Sequence, residues 1–317
     1  MVLFLQPVFQ ERLWGGTNLT QFGYDIPNNS TGECWAISAH KNGPNTILNG
    51  KHKGKSLKQV WDEDKALFGN DSRKDFPLLT KILDAHDCLS VQVHPDDEYA
   101  LKHEGEYGKT ECWYILDAQP GAEIIYGVNA TSKNELEHMI DHHQFDYLFK
   151  HVPVKPGDFF YVPAGTVVHA IGSGILILET QQSSDTTYRI YDYDRKDKNG
   201  HTRELHLNQS KDVIDITTTE PNTTPKTEMI NGNCHTQFVA NHFFTVEEWS
   251  IKDILDFQKP HTYCLVSMIN GHGQVSINNE VYKIDKGDHF ILNSEDQYIN
   301  FVGNMDIIVS FSKDEAS

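Results

Sequence analysis

Short apolar runs separated by turn residues dominate this chain, and that pattern constrains its fold more than any other feature. Period-two or compact apolar runs fall at 88–94, 112–116, 159–162 and 175–178, and again at 263–269, 274–277, 289–292 and 306–311. Pro156-Gly157-Asp158, Asn270-Gly271, Asn278-Asn279 and Lys286-Gly287-Asp288 punctuate them. Strands of this length with turns at this frequency predict a mainly β sandwich or barrel. No alternation of strand and helix argues for a parallel sheet. Helices are few. Ser132-Lys133-Asn134-Glu135 reads as a capping box, in which the Ser hydroxyl and the Glu carboxylate each satisfy a free backbone N–H. Leu136, Met139 and Ile140 follow at helical spacing. Weaker helical patterns cover 56–67 and 207–214, and all three are expected at the periphery of the β core.

A chain of 317 residues has room for about two domains of roughly 150 residues each. The stretch 217–233, TTTEPNTTPKTEMINGN, is rich in Thr, Pro and Asn and poor in large apolar residues. The boundary is expected there, dividing a unit of residues 1–230 from one of 231–317.

The balance of 45 Asp+Glu against 27 Lys+Arg, a formal charge of −18, disfavours nucleic acid and anionic membranes as partners, since both would be repelled. A small anionic substrate remains compatible, because it needs only a local basic cluster. The five cysteines are odd in number and form no CxxC pair, which fits reduced thiols and a cytoplasmic location. The N-terminus lacks the basic and long apolar segments of a signal peptide, and no run is long enough to span a membrane. Nucleotide-binding glycine motifs are absent. Oligomeric state is not legible.

Three stretches carry chemistry. In Ser90-Val91-Gln92-Val93-His94, residues two apart share a face of a strand, so Gln92 and His94 project together while Val91 and Val93 face the other way. Glu111 opens the apolar run after Lys109-Thr110. Further on, Pro156-Gly157-Asp158 feeds a strand, Pro163-Ala164-Gly165 reverses the chain, and His169 sits on the returning strand. Taken singly, each polar residue has an ordinary structural explanation. Together, a Gly, five residues, Pro-x-Gly and then His resemble the second motif of the cupin jelly roll, and a strand His followed by a Glu resembles its first. Two imidazoles, a carboxylate and an amide oxygen suit a borderline divalent ion such as zinc. One departure stands out: the cupin pattern places two residues between the Gly and the His, whereas Thr166, Val167 and Val168 make three. A bulge is therefore expected, to keep His169 facing inward.

The wider set of motifs resembles the type I mannose-6-phosphate isomerases in their short bacterial form. Gln92-Val93-His94-Pro95-Asp96-Asp97-Glu98 is similar to that family's signature, as are Pro7-Val8-Phe9 through Trp14-Gly15-Gly16, Gly32-Glu33-Cys34-Trp35, Gly108-Lys109-Thr110-Glu111, 163–170 and 179–189. The resemblance runs from residue 2 to about 215 and weakens beyond. Ala36 departs from it, since the family commonly has Glu there. Residues 234–317 also read as a small jelly roll, in which 287–293 echo 157–163 while the Pro-x-Gly and His piece is missing, so two cupin-type jelly-roll barrels or sandwiches with a few peripheral helices are expected, the second metal-free and degenerate. The resemblance implies one Zn2+ per chain bound by His94, Glu111 and His169, with Gln92 as fourth ligand. It further implies Arg189 and Lys109 as catalytic residues, and reversible conversion of mannose 6-phosphate to fructose 6-phosphate.

That chemistry moves a proton between C1 and C2 through an enediol whose charge a metal and a fixed cation would stabilise. The proton carrier stays open between Lys109, should like charges depress its pKa, and Glu179, which is also a substrate-binding candidate. The substrate phosphate needs donors, for which Lys81, Lys109, Arg189 and Arg195 are available. An Arg at 189 has the alternative of pairing with Asp185 or Asp192. His272 and His289 in the second unit are expected to be surface or structural. Two other functions compete: a metal-dependent cupin oxygenase, and a sugar-phosphate-binding cupin without catalysis.

Overall fold

The computed structural model describes residues 2–165, 168–216, 223–259, 263–278, 280–295 and 297–312. These residues form three sheets, of ten, six and five strands, and the fold is mainly β with two cupin-type units. The six-stranded sheet runs from Phe159–Val162 through Glu111–Ala118, Ile175–Gln182, Leu78–Ala85 and Thr31–Ile37 to Val8–Gly16. The five-stranded sheet orders Tyr188–Tyr191, Val91–Val93, His169–Ile171, Glu123–Val128 and Phe149–Pro153. Their facing sides bury Trp14, Leu83, Trp113, Ile115, Ile124 and Ile171 in one apolar layer. That is the alternation of a two-sheet sandwich, with inward residues apolar and the pleat sending neighbours the other way.

The outer face of the five-stranded sheet is covered by helices. Val91, Val93, Tyr188 and Ile190 pack there with Leu136 and Ile140 of helix Lys133–Asp141. Ser132 caps that helix by accepting from the Glu135 N–H at 3.2 Å, but the Glu135 carboxylate turns to the N–H and hydroxyl of Thr131 rather than to the cap residue's own N–H. A complete capping box occurs instead at Ser56 and Gln59, at the start of helix Leu57–Glu63. The third expected helix runs Leu207–Val213.

The outer face of the six-stranded sheet meets the ten-stranded sheet of the second unit. Tyr114 and Leu178 share a cluster with Trp61, Phe76, Phe238, Phe244 and Leu265. The second unit is built on two 14-residue strands, Cys264–Ile277 and Tyr298–Phe311, paired along their lengths. The turn expected at Asn270-Gly271 is absent. The first strand passes straight through these residues with a register shift between Met268 and Asn270. Gly271 takes φ 76°, and a Cβ there would stand 2.1 Å from the Asn304 carbonyl oxygen. The glycine thus serves a bulge, which needs the same positive φ as a turn.

The ten-stranded sheet also contains three strands from before residue 231, one of them Thr46–Ile47 at its edge beside Val2–Gln6. Lys226–Ile230 pairs with Asn233–Ala240, and Val2–Gln6 pairs with His289–Leu292 in the register Val2 to Leu292. Residues 217–222, the start of the expected boundary, lie outside the described residues. His272 is exposed, whereas His289 is buried, with its Nε2 2.6 Å from the Tyr24 hydroxyl and its Nδ1 2.9 Å from Ser267 Oγ.

Candidate metal centre and active-site cavity

Strand alternation delivers the first ligand candidate. With Val91 and Val93 committed to the helical layer, Gln92 and His94 point into the sandwich. The chain then stops being a strand at Pro95 and enters helix Asp97–His103, capped by Asp96. His94 Nδ1 lies 3.1 Å from the Thr186 carbonyl oxygen, an acceptor only, so the ring proton sits on Nδ1 and the Nε2 lone pair is left free. Nε2 faces His169 Nε2 at 3.1 Å. His169 opens strand His169–Ile171, directly across from Gln92. Glu111 completes the group, with Oε2 3.5 Å from His94 Nε2 and Oε1 3.5 Å from His169 Nε2. All three are buried, and their ligand atoms lie within 4.8 Å of one another. The bulge expected before His169 would fall at residues 166 and 167, outside the described residues; its expected result, an inward His169, is observed.

The donor set fits a divalent cation. Burial, reinforced by the Lys109 ammonium, pushes His94 down to about 3, so the imidazole is neutral and able to ligate. Burial alone would raise the Glu111 carboxyl, but the Lys109 ammonium beside it holds it well below the usual carboxylate range. Lys109 Nζ stands 3.0 Å from Glu111 Oε2, out of line for a hydrogen bond. An imidazole nitrogen from each of two histidines and a carboxylate oxygen without a hydrogen-bond donor, all within 4.8 Å of one another, are what a nitrogen/oxygen metal site requires.

Above this group lies a cavity of about 410 Å³. On its six-stranded wall, charged residues line up across the strands. Arg12 grips Glu33 with two bonds of 2.8 and 3.0 Å. Lys81 lies 3.5 Å from Glu179, which sits in register between Lys81 and Trp113. The Trp113 indole N–H reaches Glu111 Oε1 at 3.0 Å and Glu179 Oε2 at 3.3 Å. Burial and the nearby Glu111 raise the Glu179 carboxyl. Lys109 behaves opposite to the like-charge expectation: burial lowers it, yet Glu111 and Glu179 outweigh burial and raise it. The opposite wall carries Gln92, Arg189 and Arg203. Arg189 is tethered to Ser90 Oγ at 3.2 Å and to the Glu204 carbonyl oxygen at 2.9 Å, not to Asp185 or Asp192. Arg203 and Arg195 share Asp192.

Comparison with known proteins decides the family. The description "Phosphomannose isomerase type I, catalytic domain" matches residues 2–120, and "Mannose-6-phosphate isomerase, cupin domain" matches 234–312. A mannose-6-phosphate isomerase of Streptococcus mutans is 52% identical over 313 residues, covering 98% of both chains. The Bacillus subtilis mannose-6-phosphate isomerase ManA is 53% identical over 291 residues, covering 92% of both. The chain belongs to the type I phosphomannose isomerase family. A crystal structure of a Bacillus subtilis mannose 6-phosphate isomerase superimposes with a TM-score of 0.95 at 45% identity, covering 98% of this chain and 99% of that one.

Within this phosphomannose isomerase fold, the expected site residues Gln92, Lys109, Glu179 and Arg189 line one cavity, and His94, Glu111 and His169 close beneath it. Arg195 does not join them; it holds the Cys88 carbonyl oxygen and Asp192. Sequence reasoning passed over Arg12, Glu33, Trp113 and Arg203. Trp113 was within reach, because it stands two residues after Glu111 and so shares its face. Ala36, where the family commonly has Glu, is buried in an apolar cluster with Leu19, Phe22, Ile82 and Leu176. No helix among the described residues is long and apolar enough to cross a membrane.

Proposed function

We propose that this chain, a mannose-6-phosphate isomerase by family, interconverts mannose 6-phosphate and fructose 6-phosphate through an enediol, with one zinc ion per chain. The observation that carries the reading is the meeting of two imidazoles and a carboxylate beneath a polar cavity with cationic side chains on both walls. His94, Glu111 and His169 would hold the ion, with the Gln92 amide oxygen as fourth ligand from the position opposite His169. When bound, zinc supplies a Lewis acid toward the substrate oxygens.

The remaining work falls to side chains. Lys109, held cationic beside Glu111, offers positive charge to the oxygen on which negative charge develops. Arg189 does the same from the opposite wall, and its tethers to Ser90 and Glu204 keep it from having to reorganise. Glu179, a buried carboxyl with a raised pKa, is the group suited to take the proton from one carbon and return it to the next. Lys81 and the Trp113 N–H fix its orientation. Arg203, a guanidinium on the same wall as Arg189, is the nearest match for the phosphate. We also propose the division into a catalytic unit of residues 1–230 and a metal-free second unit of 231–317, with Val2–Gln6 crossing between them, and a cytoplasmic location in keeping with five free cysteines.

The test is incubation with mannose 6-phosphate under anaerobic conditions, with chelator and then with added zinc. Chelator-reversible formation of fructose 6-phosphate, with deuterium uptake from solvent during turnover, supports the reading. Turnover indifferent to chelator, or dependent on oxygen, refutes it.

A further inference from the structure

Glu106 lies outside the cavity, on the loop between helix Asp97–His103 and strand Glu111–Ala118. Its Oε2 accepts three hydrogen bonds from one short loop: Ser184 Oγ at 3.3 Å, the Asp185 N–H at 3.1 Å and Thr186 Oγ1 at 3.1 Å. Its Oε1 faces His40 Nε2 at 3.2 Å and the exposed Lys41 ammonium at 3.6 Å. His40 Nδ1 accepts from the Asn42 N–H at 3.3 Å, so His40 Nε2 carries the proton and donates to Glu106. The carboxylate therefore sits inside a ring of donors, with one oxygen committed to the 184–186 loop. Those donors outweigh burial and hold its pKa below the usual carboxylate value.

The loop it gathers does two things. Asp185 and Thr187 line the cavity. Between them, Thr186 presents the carbonyl that takes the Nδ1 proton of His94. That carbonyl decides which imidazole nitrogen carries the lone pair and which way the ring points. The side-chain and backbone groups of Thr186 itself reach Glu106 and Ser184 Oγ, and Ser184 in turn reaches Glu106.

We propose that Glu106 is a positioning residue for the metal centre, holding the 184–186 loop so that the Thr186 carbonyl keeps His94 in its ligating tautomer and orientation. The chain of contacts runs from His40 through Glu106 and Thr186 to His94. The inference rests on His94 being a zinc ligand. Outer partners of a ligating imidazole change metal affinity by about 10–100-fold when removed, and Glu106 stands one step further out, so Glu106→Ala is expected to weaken zinc binding about tenfold.

The experiment loads the full chain with zinc alone and measures affinity by chelator competition and the rate of zinc loss to excess chelator. Wild-type protein is expected to hold about one zinc per chain; if it holds none, the metal reading fails and this proposal is overturned with it. Given wild-type binding, Glu106→Ala is expected to raise the zinc dissociation constant about tenfold and to speed zinc loss, with activity recovering at saturating zinc. Lys41→Ala, which removes only the exposed contact to Oε1, should leave both values unchanged. Wild-type affinity and release rate in Glu106→Ala would overturn the proposal. An equal loss in Lys41→Ala would overturn it too, since general electrostatics would then account for the effect. If Glu106→Ala does not fold, Glu106→Leu decides on the same criteria, because it keeps the volume while offering the 184–186 loop no acceptor.

Discussion

Trp113 gives its single indole N–H to a gap between two buried carboxylates, 3.0 Å from Glu111 and 3.3 Å from Glu179. One proton thus orients both the proposed ligand and the proposed proton carrier. Trp113→Phe keeps most of the ring and removes the donor. We expect it to fold, to lose about 1–3 kcal/mol of stability from the two undersatisfied carboxylates, and to lose about 10–100-fold in zinc affinity or turnover. Urea unfolding and chelator competition on the same preparation check both parts; unchanged zinc affinity would remove Trp113 from the centre.

The three converging ligand atoms predict how the site fails. His169→Ala is expected to reduce bound zinc from about one per chain to near none, with turnover lost in step. Metal analysis after dialysis reads the first effect and the isomerase assay the second. Near-stoichiometric zinc in this variant would contradict the proposed ligand set.

Arg189→Ala is expected to lower turnover by about 2–4 kcal/mol of barrier, the range seen when one preorganised donor is removed from an oxyanion site, while zinc content stays at the wild-type value. Steady-state kinetics with parallel metal analysis separate the two. Near-normal turnover would take Arg189 out of the chemistry and leave it as a tether between Ser90 and Glu204.

His289 sets a pH dependence away from the active site. Burial pushes its pKa down to about 3, against an unfolded value near 6.5. Between those values the unfolded chain binds a proton that the folded chain refuses. The stabilisation is therefore complete above about pH 6.5 and lost progressively as pH falls toward about 3. Between about pH 7.5 and about pH 5 this one ring accounts for about 2 kcal/mol. His289→Gln should flatten that part of the stability curve in urea titrations. An equal pH slope in both proteins would show that His289 does not contribute.

The N-terminal strand makes its own prediction. Val2, Leu3 and Leu5 are almost wholly buried, and the strand bonds to His289–Leu292 on one side and to Thr46–Ile47 on the other. Leu3→Ala is expected to cost about 2–5 kcal/mol. Removing residues 234–317 should cost solubility or folding before zinc stoichiometry changes, because it bares Tyr114 and Leu178 on the outer face of the six-stranded sheet. A soluble, folded truncation that selectively lost zinc would refute this.

What the sequence revealed of the site was local. Gln92 and His94 share a face because Val91 and Val93 alternate with them, and the pattern is visible in five residues. His169 was readable through the Pro-x-Gly reversal before it. What it concealed was long-range or ambiguous. Arg12 and Arg203 reach the cavity from segments about 190 residues apart, and only the folded sheet order brings them together. Asn270-Gly271 looked like a hairpin turn because a bulge asks for the same left-handed glycine. Glu135 fulfilled the spacing of a capping box, yet its carboxylate found the two donors of Thr131 instead of one on Ser132. Residue spacing does not rank such neighbours; the local backbone does.

The pairing of Val2 with Leu292 has a consequence for how the protein comes into being. The strand Val2–Gln6 leaves the ribosome before its partner His289–Leu292, which emerges about 290 residues later, roughly half a minute on at about 10 residues per second. Throughout that wait one edge of the nascent chain stays unpaired and its apolar side chains unsheltered. Chaperone capture of that strand, and sensitivity of yield to elongation speed, follow from that one antiparallel register.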